Sequence, residues 1–380
     1  MIQPIESSSS KNIFFAQQID AVIGGQHVVE LQAPYSPEAK KPNIISAQIL
    51  PGRGMNIYQL KTYLPYKGDF DIFYAPPLEE ARYFFDNGPG DFMGNKSFMV
   101  GGAILVPYPN RIRGKLLADG KSIETRIFGK TVILPANWSS AGNTTGEKVA
   151  MHGLILNSRM NKVTLHSNDS KAEVTGTLNA GDFDGRWIGQ SRLTTTCTLT
   201  ESNFSFSVTV ENVSNEPLPT SVGWHPYFKF PSGKREQVRV HIPARSIVPV
   251  NNYDDVFPIG EIIPIKGEAL DFNDISGTPL KDMYLDDSFT DLEINSEDNS
   301  ITEIIDPLAN YGVRISANSV NKAIQVYAPP DKNFVAIEPQ FNLTDPFNED
   351  IWGKNANKGM AILEPGQSVT YKVKIELFIP

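Results

Sequence analysis

Cysteine is all but missing: Cys197 is the only one in 380 residues. A lone cysteine excludes an intramolecular disulfide and any multi-cysteine metal site. Within the strand-like run RLTTTCTLTE it reads as filler rather than as a reactive thiol. No stretch of about 18 apolar residues occurs, so no membrane-crossing helix is expected. Basic residues are outnumbered, 34 lysines and arginines against 43 aspartates and glutamates, giving a formal charge of -9. No basic block stands out, which excludes nucleic acid as a natural partner. A neutral small molecule is compatible with this charge. Sustained helical periodicity is lacking too, and no repeat of about 40 residues recurs, which counts against a propeller. The opening residues MIQPIESSSSKN lack the basic start and apolar segment of a signal peptide. The compartment expected by default is the cytoplasm, with export through a removed segment left open. Triplets of the form N-x-S/T, such as Asn137-Trp138-Ser139, have no accompanying secretory sign and read as chance.

What the chain does contain is strands. Its 40% hydrophobic and 20% charged residues are ordinary for a globular protein, and a chain this long buries a large core without staples. Residues 1–10 are expected to be a disordered tail and residues 11–380 a single domain, since large β-sandwiches and barrels exceed the usual domain length. HVVELQ, NIISAQILP and MNIYQLKTYLP are short, β-rich and bounded by glycine or proline. In SFSVTVEN, Phe204, Phe206, Val208 and Val210 alternate with Ser205, Ser207 and Thr209, the period of a strand with one buried face. KAEVTGTL, QVRVHIP and the C-terminal VTYKVKIELFI repeat the theme. PPLEEARYFF is expected to make a helical turn or two, and the glycine-rich run that follows it a loop. The fold class is all-β: large antiparallel sheets with few short helices, as a sandwich or barrel.

Five short segments carry residue types suited to chemistry. SVGWHPYFKF (residues 221–230) gathers Trp224, Tyr227, Phe228 and Phe230 around His225. Aromatic faces beside one imidazole suit a sugar ring, and suit plain core equally well. In GGAILVPYPNRIRGKL the prolines stop a strand, leaving Asn110, Arg111 and Arg113 on a loop at its end, either as a site or as a solvated basic turn. His152 in VAMHGLIL precedes Gly153, which allows a close turn; a structural role is the plain alternative. Asp286 and Asp287 in LDDSF read as paired acids in a turn, where caps and solvated charge are common. Glu338 in FVAIEPQFN ends an apolar run. There it is half buried, its pKa raised towards the range useful for proton transfer, or else salt-bridged to an arginine. By strand alternation His166 and His241 point to solvent, and His27 is uninformative.

Taken together, Arg111 in PNRI, His152 in MHG, His225 in GWHPYF, Asp286 in LDDSF and Glu338 in IEPQFN resemble the aldose 1-epimerase (galactose mutarotase) family in chain order, over roughly residues 43–380. The HPYF element is the most specific part. The resemblance implies a β-supersandwich with a groove on one concave surface and interconversion of the α and β anomers of a free hexose such as galactose or glucose. It implies Glu338 as the base at the C1 hydroxyl and His225 as the acid at the ring oxygen. His152, Arg111 and Asp286, with Asn110 beside them, would hold the hydroxyls, and Trp224 would offer an apolar face to the sugar or pack in the core. Pro226 would end its strand so that the imidazole faces the groove. Asp287 in place of Asp286 and Arg113 in place of Arg111 stay open. A carboxylate and an imidazole that can both be poised near neutral pH open a hemiacetal without metal or cofactor. A hexose-6-phosphate epimerase, with arginines gathered for the phosphate, is a second enzyme reading, and a non-catalytic carbohydrate-binding protein on the same fold a third. The preferred sugar and the oligomeric state are not legible.

Overall fold

The computed structural model describes residues 13–34, 40–65, 67–139 and 147–380. The expected N-terminal tail and most of the polar loop after Trp138 lie outside these residues. Two large antiparallel sheets dominate, of 12 and 9 strands among the described residues. The 9-stranded sheet runs from the Lys162–Ser167 hairpin strand through Ser191–Thr200, Asn203–Asn212 and Ser368–Phe378 to Tyr311–Asn318 and Asn299–Asp306. Its strands follow the period-2 expectation. In Asn203–Asn212 every second residue is buried, and Phe204, Phe206, Val208 and Val210 enter the core between the sheets. Thr175 and Thr196, and Thr209 and Thr370, pair their hydroxyls across neighbouring strands on the other face. Cys197 is fully buried in this core, where desolvation pushes its thiol pKa up and keeps it unreactive.

The 12-stranded sheet carries the strands that line the cleft. Its central strands are Gly102–Leu105, Gly223–Lys229, Phe334–Gln340, Ala323–Ala328 and Leu285–Leu292, adjacent in that order. We call the last four the histidine, glutamate, glutamine and aspartate strands. The glutamate strand is buried at all 7 positions, because one face packs on the second sheet and loops cover the other. A strand covered on both sides need not alternate in polarity, which is why FVAI reads as a continuous apolar run. Helix is confined to short pieces such as Leu78–Arg82 and Glu349–Trp352, and no helix among the described residues is long and apolar enough to cross a membrane.

Several local expectations change. Asp286 and Asp287 lie inside the aspartate strand, not in a turn, and Glu338 is mid-strand rather than at a strand end. Pro226 does not end its strand; it sits opposite Gly102 within it. His241 is buried, its Nδ1 at 3.1 Å from the Asp274 carbonyl. Its strand, Arg239–His241, is only 3 residues long, and the turn from Phe272 to Gly277 folds back over it, so alternation does not fix its exposure. His166 and His27 are exposed. Asn137 is buried and holds both polar groups of Met151's backbone, so its N-x-S triplet is a structural asparagine.

Candidate active site

Register places the candidate residues in one row. Gly223 pairs with Gln340 and Tyr227 with Ala336, which sets His225 directly opposite Glu338 across adjacent strands. Glu338 in turn pairs with Gln325, and Gln325 with Ser288. Side chains of directly opposed residues share one face of the sheet. Asp286 lies two positions along from Ser288 and so projects from the same face. Each of the two central residues is followed by a proline, Pro226 and Pro339. Proline cannot donate to the ladder, and no ladder pairing joins the two strands between Gly223↔Gln340 and Tyr227↔Ala336. The prolines therefore loosen the sheet at the place where His225 and Glu338 meet.

The row forms the floor of a cleft of about 330 Å³, walled by Phe98, Asn110, Arg111, Trp138, His152 and Tyr253 among others. Nε2 of His225 lies 3.2 Å from Oε1 of Glu338, with both side chains buried. Nδ1 of His225 and Oε2 of Glu338 have no hydrogen-bond partner among the described residues. Burial drives both groups towards their neutral forms. It raises the Glu338 carboxyl well above its ordinary value, with the Asp286 charge adding to this. It lowers the His225 pKa to about 3. Desolvation of a charged form in a dry pocket is the common cause.

His152 arrives from a separate three-stranded sheet. Its backbone is in the left-handed region at φ 61°, followed by Gly153 at φ 83°. This kink turns the imidazole back on Asn110, itself at φ 61°. The His152 N–H donates to the Asn110 carbonyl at 2.9 Å, and the Asn110 N–H donates to His152 Nδ1 at 3.1 Å. Because Nδ1 accepts, the neutral imidazole carries its proton on Nε2, a donor for the cleft. Burial and the nearby His225 and Arg111 hold His152 well below the ordinary histidine pKa. The rings of His152 and His225 meet edge to face at 4.8 Å, and Phe98 packs on His152 at 4.8 Å. Tyr227 Oη donates to the Phe98 carbonyl at 3.0 Å and so fixes that wall.

A closed polar ring completes the cleft. Asn110 Nδ2 donates to Gln325 Oε1 at 3.2 Å, Gln325 Nε2 to Asp286 Oδ1 at 2.7 Å, Arg111 Nη2 to Asp286 Oδ2 at 3.5 Å, and Arg111 Nη1 to Asn110 Oδ1 at 3.1 Å. The ring separates the paired alternatives. Asp286 lines the cleft, whereas Asp287 accepts from Tyr253 Oη at 2.9 Å. Arg111 lines the cleft, whereas the Arg113 guanidinium lies 3.6 Å over the Phe257 ring. Both second residues thus hold the loop of residues 251–257. Asn252 Oδ1 accepts there from the N–H groups of Asp254 and Asp255, and Val256 lines the cleft at φ 57°, a strained setting for a β-branched residue.

Trp224 is not in the cleft. It is 0% exposed and packs on Phe73, Phe206 and Phe228, with Nε1 donating to the Gly102 carbonyl. One residue from His225, it necessarily points to the opposite, inter-sheet face. Gln325, Tyr284, Tyr327, Tyr253 and Phe98 line the cleft unanticipated. Of these only Gln325 had a local signal, a single amide inside the apolar strand AIQVYA. Ligand atoms of His152, His225 and Glu338 lie within 4.8 Å of one another, a spacing a metal ion could span. The donor set does not fit one: His152 Nε2 carries the proton while Asn110 occupies Nδ1, so it has no lone pair to offer without breaking that bond.

Two large antiparallel sheets with a buried carboxylate–imidazole pair in a polar cleft describe the class of protein to which this chain is compared. The sequence profile of the aldose 1-epimerase family matches residues 84–376, and the chain belongs to that family. An isomerase of the epimerase type with a small sugar as substrate goes with the family. No curated protein matches by sequence. Among solved structures, a galactose mutarotase-like protein from Clostridium acetobutylicum is 20% identical with a TM-score of 0.71, covering 97% of this chain and 99% of that one. A putative aldose 1-epimerase from Escherichia coli K12 is 17% identical with a TM-score of 0.61, covering 88% and 96%. A galactose 1-epimerase from Lactobacillus acidophilus NCFM is 14% identical with a TM-score of 0.61, covering 96% and 98%. At these identities the likeness is one of fold.

Proposed function

We propose that this protein interconverts the α and β anomers of a free aldose by ring opening, with Glu338 as base and His225 as acid. The observation that carries the reading is their direct 3.2 Å contact at the floor of the cleft. Opening the hemiacetal removes the C1 hydroxyl proton to Glu338 and delivers the His225 proton to the ring oxygen as the C1–O5 bond breaks. The pair passes from carboxylate plus imidazolium to carboxylic acid plus imidazole, with no net change in its proton count. Burial favours the neutral state of both groups, so the transfer that opens the ring runs towards the state the pocket prefers. C1 then turns about the C1–C2 bond, and the steps reverse with the roles exchanged.

Positioning of one ring against both groups removes much of the entropic cost. His152 Nε2–H donates to a sugar oxygen, and Arg111, Asp286, Asn110 and Gln325 offer directional bonds to the remaining hydroxyls. Among the described residues Arg111 is the one cationic side chain other than histidine that lines the cleft, and Asp286 already engages it. Arg113 is committed to Phe257 and Glu147, and Arg159 to the Gly24 carbonyl. A phosphate would lack a receiver, which favours the unphosphorylated sugar. Polarimetry of freshly dissolved α-glucose or α-galactose tests the proposal. The wild type is expected to speed the optical change over buffer and His225→Asn to lose that acceleration. Equal rates with and without protein sink it, and a faster reaction on a 6-phosphate would redirect it.

A further inference from the structure

Resting on that reading of the cleft, we propose that its preferred substrate is a 6-deoxyaldohexose, whose methyl group on C5 seats in an apolar corner formed by Phe98, Met99 and Trp138. The floor of the cleft is graded in polarity along one row of opposed residues. Gln325 pairs with Glu338, His225 lies across from Glu338, and beyond His225 the row continues to Ala103. Opposed residues share one face of the sheet. On the Gln325 side stand the groups suited to hydroxyls, Asp286, Asn110 and Arg111. On the Ala103 side the neighbours are apolar. Ala103 belongs to a cluster with Phe98, Leu105 and Met151, against which Met99 and Trp138 pack. Phe98, Met99 and Trp138 all line the cleft. His152 stands at the boundary, its Nδ1 held by Asn110 and its ring against Phe98.

The proposed chemistry fixes which carbon meets this corner. The C1 hydroxyl is at Glu338 and the ring oxygen at His225, so C1 and C2 lie toward Gln325 and Asp286. C5, the other neighbour of the ring oxygen, lies on the far side of His225. Its substituent meets Phe98, whose ring centroid is 6.3 Å from that of His225, with Trp138 edge-on to Phe98 at 5.6 Å. The corner is preformed. Ser97 Oγ donates to the Leu156 carbonyl at 2.8 Å and Asn56 Nδ2 to the Ser97 carbonyl at 2.9 Å, which pins the turn Asn95–Phe98. Nearby polar groups are engaged elsewhere: Tyr227 Oη donates to the Phe98 carbonyl, Lys96 Nζ to the Phe84 carbonyl, and Ser139 already has a partner. A hydroxymethyl group would leave its hydroxyl among carbon and sulfur, at the cost of unmade hydrogen bonds. A methyl group fills the same space with apolar surface taken from water, and the bare C5 of a pentose leaves it empty. An apolar pocket separates such neighbours by about 10- to 100-fold. Hexoses with a hydroxymethyl group remain substrates, at lower kcat/KM.

The test measures kcat/KM for anomerisation in two series that differ only in the group on C5: glucose, 6-deoxyglucose and xylose, and galactose, 6-deoxygalactose and L-arabinose. In the series the protein turns over faster, the 6-deoxy sugar is expected to exceed both others by about tenfold or more. Met99→Gln puts an amide of similar shape into the corner and is expected to bring the ratio of 6-deoxyhexose to hexose close to one, while Met99→Leu keeps it. A hexose or pentose equal to its 6-deoxy counterpart overturns the corner, and so does a preference that Met99→Gln leaves intact. If no sugar is accelerated, the proposed catalysis fails first, and calorimetric titration decides the corner by itself. Tighter binding of the 6-deoxy sugar than of the hexose, weakened in Met99→Gln, retains it; equal binding, or none, ends it.

Discussion

Glu338→Gln separates catalysis from stability in a single substitution. The side chain is 2% exposed, and its Oε2 has no hydrogen-bond partner among the described residues. An amide keeps the shape but cannot accept the C1 proton. Loss of a general base lowers kcat by about 10²- to 10⁴-fold. Stability moves the other way. Burial raises the Glu338 pKa well above 4.5, so above pH 4.5 the folded chain holds this proton more tightly than the unfolded chain does. The unfolded state then binds fewer protons, and stability declines as pH rises through the folded pKa. Glutamine has no such proton to lose, and removing this linkage is worth about 1.4 kcal/mol for each pH unit between 4.5 and the folded pKa. With an unfolding entropy of about 2.1 cal/mol/K per residue, a chain this long gains about 2 °C in Tm for each such unit. Polarimetry of α-glucose reads the first effect, and thermal unfolding followed by circular dichroism at pH 5 and pH 8 reads the second. The Tm gain should be larger at pH 8. Glu338→Gln retaining more than about a tenth of the wild-type rate refutes the base assignment, and a Tm lowered equally at both pH values refutes the buried-charge argument.

Three further outcomes follow from the same geometry. His152 and His225 are both held below 6.5 by burial, His225 to about 3, so the folded chain binds fewer protons there than the unfolded one. Their contribution is complete above pH 6.5 and is lost as pH falls, and urea midpoints from pH 7 to pH 4 should show a slope that His225→Asn flattens. Gln325→Leu strips a partner from both Asn110 Nδ2 and Asp286 Oδ1. It should cost about 1–3 kcal/mol in chemical denaturation and raise KM more than it lowers kcat, if the ring has its proposed role of orienting substrate without exchanging protons. Trp224→Ala should cost about 3–5 kcal/mol in urea unfolding, with kcat in the folded fraction little changed, because the indole fills the inter-sheet core and not the cleft.

The alternation in SFSVTVEN set strand, face and core partners of the second sheet before any coordinates, since a strand with one wet face must alternate. The one-letter contexts of His152, His225, Asp286 and Glu338 likewise marked four side chains that all line one cleft. What local sequence did not carry was the partition between neighbours. Trp224 and His225 are adjacent letters on opposite faces of one strand, as are Asp286 and Asp287 of another. Which face is cleft and which is core depends on register against strands over a hundred residues away. Burial of His241 depended on a turn from a different part of the chain.

The all-β character and the lack of a disulfide were therefore fixed by periodicity and composition, which are local, while the candidate site residues were marked by short motifs and by the family resemblance those motifs carry. The 3.2 Å contact of His225 and Glu338, the tautomer of His152 and the polar ring of Asn110, Arg111, Asp286 and Gln325 were decided only by tertiary structure. Each arises where segments far apart in sequence are brought opposite one another and sealed from water. Long-range pairing and desolvation, not residue identity, give those groups their distances and their pKa values.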